Sequence, residues 1–159
     1  RYKSGKYTIE RPLHFGAALG SADQKLFKTY SDYGLPLGEA FQLRDDVLGI
    51  FGNPDETGKP AGDDLREGKR TVLMAMTLEK ASAPARRELQ RDLGNQTLTV
   101  QRIEELRTII TETGAVAEVE KLIEGLAAES KIAAQSSAIA ADAKPFLLAL
   151  ADSAIRRSY

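Results

Sequence analysis

The run 41–50, Phe-Gln-Leu-Arg-Asp-Asp-Val-Leu-Gly-Ile, sets two carboxylates side by side at Asp45 and Asp46. Further along, two lysines each follow a glycine, Lys59 after Gly58 and Lys69 after Gly68. Paired carboxylates followed by glycine-spaced lysines suit a divalent cation that bridges to a polyphosphate. Carboxylate oxygens match a hard ion such as Mg²⁺, which keeps several waters and shares its remaining positions with substrate phosphate. The ammonium groups then neutralise the charge that the metal leaves over.

At 3.6 residues per turn, Gln42, Asp45, Asp46 and Gly49 fall on one broad helical stripe, away from Phe41, Val47 and Leu48. A merely solvated face has the same spacing. Against that reading, the stripe lies in an apolar stretch close to a helix C-terminus, where the macrodipole disfavours anions. Carboxylates there need a compensating cation, which either a metal or Arg44 would supply. The glycines before Lys59 and Lys69 let the backbone approach an anion, and amides at a helix start donate to phosphate oxygens. A hydrophilic loop with exposed lysines explains the same residues. Asp63 and Asp64 read as a second carboxylate pair for metal-bound water or as partners for Lys59, Arg66 and Lys69, and the pairing role is preferred. Residues 3–8, Lys-Ser-Gly-Lys-Tyr-Thr, form another short basic element, open either to a diphosphate or to solvent alone. His14, the only histidine, reads as a packed or surface residue rather than a base or ligand.

The elements that must position these residues are helices. Apolar residues recur at i, i+3 and i+4 and strand signals are almost absent, so the chain reads as all-α. Helical segments are predicted over 8–20, 21–51, 71–81, 84–93, 100–113, 115–140 and 144–157. Ser21 and Gln24 look like a capping box, and a kink is expected around 34–38. The turn formers from Gly52 onward predict a loop that continues to Gly68. Helices joined by short connections imply an antiparallel bundle with its site between helices.

Composition narrows the function classes. With 159 residues, 42% hydrophobic and 28% charged, one globular domain is the default. A net charge of −1, from 22 Lys+Arg against 23 Asp+Glu, gives no basic field for nucleic acid or anionic lipid. The absence of cysteine excludes a disulfide framework and thiolate metal sites, and fits a cytoplasmic protein. No apolar run approaches the roughly 20 residues of a membrane span. A chain that starts at Arg1 rather than methionine is expected to be a fragment or a processed product.

Taken in order, residues 3–8, Pro12-Leu13 with Gly16-Ala17, the Gly34-Leu-Pro-Leu-Gly38 run, residues 41–48 and residues 58–71 resemble the C-terminal half of a trans-type polyprenyl diphosphate synthase. Actinobacterial members of geranylgeranyl diphosphate synthase type look most alike. The resemblance is dense in motifs over 3–78 and is one of helical pattern beyond. It implies the isoprenoid synthase bundle, here only its C-terminal part, with residues 1–159 belonging to a single synthase domain. It also implies a cytoplasmic homodimer that joins an allylic diphosphate to isopentenyl diphosphate head to tail, without nucleic acid or stable membrane insertion. In that chemistry Mg²⁺ is a Lewis acid on the departing diphosphate and the allylic C–O bond breaks. The isopentenyl double bond then attacks, and proton loss restores an alkene. By position, Asp45 would ligate Mg²⁺ and Asp46 would support it directly or through water. Lys3 and Lys59 would hold the allylic diphosphate, and Thr8 and Gln42 would line the site beside the reacting carbons. Lys69 would stand on the phosphate side or have a structural role.

Two departures qualify the resemblance. The family's second acidic motif usually ends in a third aspartate, and Gly49 stands there. The first aspartate-rich motif, which lies upstream in the family, has no counterpart in this chain, so these residues alone are expected to be inactive. A non-catalytic subunit of a prenyl diphosphate synthase is the alternative reading, which Gly49 favours and Lys3, Gln42, Asp45 and Lys59 oppose. A terpene cyclase with the same bundle is a third, which the lysine loops fit less well. Product length is not legible in these residues.

Overall fold

The computed structural model describes residues 2–58, 60 and 62–156, with the side chains of residues 2–4, 56 and 57 outside the description. Every regular element among them is helical, as the apolar spacing predicts. A π-helical segment, Tyr2–Glu10, leads into α1, Arg11–Leu19, and α2, Gln24–Phe51. There follow α3 (Pro54–Thr57), α4 (Asp63–Glu67), α5 (Val72–Lys80), α6 (Ala83–Asp92), α7 (Val100–Glu112), α8 (Ala115–Ala134) and α9 (Lys144–Ile155).

Local chemistry sets the boundaries. The expected first helix is two elements, because the π-helical segment gives way to α-helix where Pro12 fixes φ in the first turn of α1. The expected capping box at Ser21 does not form; Ser21 sits at positive φ, and the Asp23 carboxylate accepts from Leu26 N–H at 2.9 Å to open α2. The expected loop 52–68 contains α3 and α4. Asn53 caps α3 by accepting from Asp55 N–H, and each short helix ends at a glycine in the left-handed region, Gly58 and Gly68.

Contacts divide the chain into two compact units, with α2 and α8 contributing residues to each. The first comprises Arg1–Gln42 and Leu122–Arg157. Its core is built on Tyr33, Leu37, Ala134, Ile139, Leu147 and Ala151, with Ile9, Leu13 and Phe41 packed against them. Helix α2 passes through Pro36 without interruption, although proline supplies no donor to the helical ladder. Beside that gap the buried Ser130 hydroxyl donates to the Tyr33 carbonyl at 2.8 Å, and the Tyr33 hydroxyl donates to the Leu147 carbonyl at 2.8 Å. These two bonds tie α8 and α9 to the middle of α2. Burial raises the Tyr33 phenol to about 12.

The second unit contains Leu43–Lys121. Its buried side chains include Val47 and Ile50 of α2, Leu65 of α4, Leu73 of α5, Leu89 of α6, and Ile103 and Ile110 of α7. The connection between α6 and α7 is fixed by charge. Asp92 is buried and accepts from Arg91 and from Arg102, whose guanidinium also reaches Glu88 and Glu105.

Candidate functional site

The site is built from the last turns of α2 outward. Val47 and Ile50 are buried in the second unit, and this fixes the rotation of α2 and the stripe that holds Asp45, Asp46 and Gly49. Arg44, the neighbour that would have neutralised these aspartates, turns away. Its guanidinium makes a bidentate pair with Glu120 of α8, both bonds 2.7 Å, and so locks the helix from another side. At the end of α2, Arg107 donates to the Ile50 carbonyl at 2.7 Å and lies 6.0 Å from the Phe51 ring centroid. That cation meets the negative end of the helix dipole, which would otherwise oppose nearby carboxylates.

Compensation for Asp46 comes from Lys69. Its ammonium donates to Asp46 Oδ1 at 3.0 Å and to Asp64 Oδ2 at 3.0 Å, so one cation is held between two carboxylates. Both aspartates are buried, 5% and 4% exposed, which leaves the lysine as the half-open member of the trio. Burial by itself would lower the Lys69 ammonium, but hydrogen bonds to Asp64 and Asp46, and their charges, hold it above its usual value. The turn after α4 makes this possible. Gly68 adopts φ 68° and passes within 2.9 Å of the Gly94 Cα, measured from where its own Cβ would stand, so a side chain is excluded on two counts. Lys69 N–H then closes on the Asp64 carbonyl at 3.0 Å, and Thr71 caps α5 by accepting from Met74 N–H at 3.1 Å.

Gly49 acquires a physical explanation here. A Cβ at this position would overlap the Asp64 carboxylate. The side chain that α2 lacks at Gly49 is therefore replaced in space by a carboxylate from α4. Asp64 is the functional candidate that its sequence position understates: the preferred pairing with Lys69 is what forms, and its nearness to Gly49 arises from the fold.

The remaining candidates lie as follows. Asp45 is half-buried on α2 and has interactions of its own. Gln42 is half-buried, Thr8 is exposed on the π-helical segment, and both are engaged in interactions. The backbone of Lys3 belongs to the π-helical segment, while its side chain and the whole of Lys59 lie outside the described residues. Among the described residues, no group of three or more His, Asp or Glu side chains is arranged to hold a metal ion by itself.

Known proteins share the sequence and the helical frame of this chain. A family model described as polyprenyl synthetase matches residues 1–110. The geranylgeranyl diphosphate synthase of Saccharolobus solfataricus is 39% identical over 95 residues, which are 60% of this chain and 29% of that protein. A crystal structure of geranylgeranyl pyrophosphate synthase from Corynebacterium glutamicum, complexed with isoprenyl diphosphate and magnesium, superposes with a TM-score of 0.94 at 40% identity. It covers 99% of this chain and 45% of its own. Polyprenyl synthase from Caulobacter crescentus, complexed with calcium and isoprenyl diphosphate, gives a TM-score of 0.79 at 32% identity over 91% of this chain and 44% of its own. The chain thus spans less than half the length of each of these relatives. Because the family model matches well over half of the residues and solved relatives share the helical frame, the chain belongs to the polyprenyl synthetase family.

Proposed function

We propose that these residues form the C-terminal portion of a single prenyltransferase domain that condenses an allylic diphosphate with isopentenyl diphosphate into a longer trans-polyprenyl diphosphate. The observation that carries this reading is the Asp64 carboxylate beside Gly49, with Lys69 between it and Asp46. It restores acidic character where the α2 motif has lost a side chain, and it weakens the case for a non-catalytic subunit that rested on Gly49.

The donor set fits a hard divalent cation. The available groups are carboxylate oxygens, and no three acidic or imidazole groups among the described residues enclose an ion, so phosphate and water would complete its coordination. Asp45 would hold Mg²⁺, with Asp46 in support and its orientation set by Lys69. When bound, magnesium supplies Lewis-acid charge to the leaving diphosphate. Lys3 and Lys59 bind and orient the allylic diphosphate so that its C–O bond breaks with the electron pair on the departing oxygen. Thr8 and Gln42 line the reacting carbons while the isopentenyl double bond forms the new C–C bond, and loss of a proton restores the alkene. Lys69 offsets part of the charge on the buried Asp46 and Asp64 and stands on the phosphate side of the site.

The test is turnover by the complete protein with Mg²⁺, isopentenyl diphosphate and an allylic diphosphate, read as lengthened prenyl product. Asp45→Ala is expected to lower kcat by about 10²–10³-fold. No product from the unaltered protein, or full activity after Asp45→Ala, overturns the reading, and the second outcome favours a partner subunit. We further propose that the complete protein is a cytoplasmic homodimer, which light scattering and fractionation check. No helix of the described residues is long and apolar enough to cross a membrane.

A further inference from the structure

Away from the acidic stripe, the only histidine enters a polar chain inside the first unit. His14 Nε2 lies 3.0 Å from the Phe27 carbonyl oxygen and 3.0 Å from Ser31 Oγ, and Ser31 Oγ donates to Glu10 Oε1 at 2.7 Å. A carbonyl only accepts, so Nε2 carries a proton in the first contact. That single N–H is shared between the Phe27 carbonyl and the Ser31 oxygen, and the Ser31 hydroxyl in turn donates to the carboxylate, which gives one direction to the chain: imidazole N–H to hydroxyl to Glu10. The His14 ring is held edge-on to Phe27, with centroids 5.3 Å apart.

Glu10 is 6% exposed, and its Oε2 is buried with no hydrogen-bond partner. A carboxylate held so far from water is costly unless its position is worth keeping. Glu10 is also the last residue of the π-helical segment and the N-cap position of α1, where its side chain makes no capping hydrogen bond and is instead directed to Ser31 of α2. Helix α2 approaches this point closely. A Cβ at Gly34 would stand 3.1 Å from Glu10 Cα, and one at Gly5 would stand 3.4 Å from the Leu35 carbonyl oxygen. Ser31 and Gly34 are three residues apart on α2, hence neighbours on its surface, and both meet Glu10. A π-helix is an uncommon state that persists where its surroundings hold it, frequently at functional sites.

We propose that Glu10, held through Ser31 by His14, is a positioning residue that fastens the π-helical segment to α2 and so fixes the backbone frame that carries Lys3 toward a diphosphate. The diphosphate half of the proposal rests on the function proposed above. The fastening itself does not.

Two measurements on the complete protein separate them. In hydrogen exchange, Ser31→Ala is expected to speed exchange of the amides of residues 2–10 by about tenfold, the loss of one bond to a charged group, while α5–α7 stay unchanged. Calorimetry with magnesium pyrophosphate is expected to show affinity weakened by a similar, roughly tenfold, factor. Ser31→Thr, which keeps the hydroxyl, should restore both, and melting temperatures show whether general destabilisation is the cause. Unchanged exchange in residues 2–10 overturns the fastening. Faster exchange with unchanged pyrophosphate affinity, or loss of affinity that Ser31→Thr does not restore, overturns the positioning role. Absence of pyrophosphate binding by the unaltered complete protein overturns the diphosphate half and counts against the proposed function, while exchange still decides the fastening.

Discussion

Residue 49 carries only a hydrogen, and the Asp64 carboxylate occupies the room this leaves. Gly49→Ala is therefore expected to lower stability by about 1–3 kcal/mol through overpacking, measured by urea unfolding. Gly49→Asp, which would complete the family motif on paper, should destabilise further, because it sets a second negative charge against Asp64. Lys69 offers the complementary test. Lys69→Met removes the ammonium held between the buried Asp46 and Asp64 and is expected to cost roughly 2–3 kcal/mol at neutral pH. The sign with pH follows from the raised ammonium. Stability from the lysine is complete below its usual value of 10.5 and is lost as pH rises through the higher folded value, so the variant should lack this alkaline loss. Asp45 and Asp46 were legible as a pair because adjacency and helical period are local properties. The partner of Asp46 was not, since Lys69 lies 23 positions away and reaches it only after the left-handed turn at Gly68.

Among the elements, α6 and α7 are joined through Asp92. Hydrogen bonds from Arg91 and then Arg102 outweigh burial and hold its carboxyl down at about 2, against an ordinary 3.8. A depressed carboxylate contributes stability above its unfolded value and loses it as pH falls through the folded one. Melting temperature should therefore drop between about pH 4 and pH 2, and Asp92→Asn should flatten that limb, as a pH series of thermal scans would show. Helix α2 has the opposite device. The Tyr33 phenol titrates at about 12 rather than 10.0, so its contribution is complete below pH 10.0 and is lost on the way to pH 12. Tyr33→Phe should remove this alkaline dependence while costing about 1 kcal/mol for the lost hydrogen bond to the Leu147 carbonyl. Sequence signals located α7 well, because apolar residues recur along all of its 13 residues, whereas the Thr99 side chain that caps it was found only in the structure. They missed α3 and α4, because helices of 4 and 5 residues have too few turns for a period to register.

At the largest scale, several large apolar side chains are exposed among the described residues of this chain, including Phe15 at 70%, Leu19 at 89% and Phe146 at 77%. They contribute little to the core of the first unit. Leu19→Lys and Phe146→Lys are expected to change the unfolding free energy by less than about 0.5 kcal/mol and to raise solubility, checked by urea titration and by the concentration at which the chain precipitates. The sequence by itself determined the helical class, the order of the motifs and the face that presents Asp45 and Asp46, because each depends on spacing within one helix or on residues adjacent in the chain. The tertiary structure alone decided that Arg44 serves Glu120, that Lys69 serves Asp46 and Asp64, that Asp64 fills the space at Gly49, and that His14 reaches Glu10 through Ser31. Those pairings require helices to be packed at particular rotations and approaches. Period and composition constrain the faces of a helix, but the partner that meets each face is fixed only when the cores close.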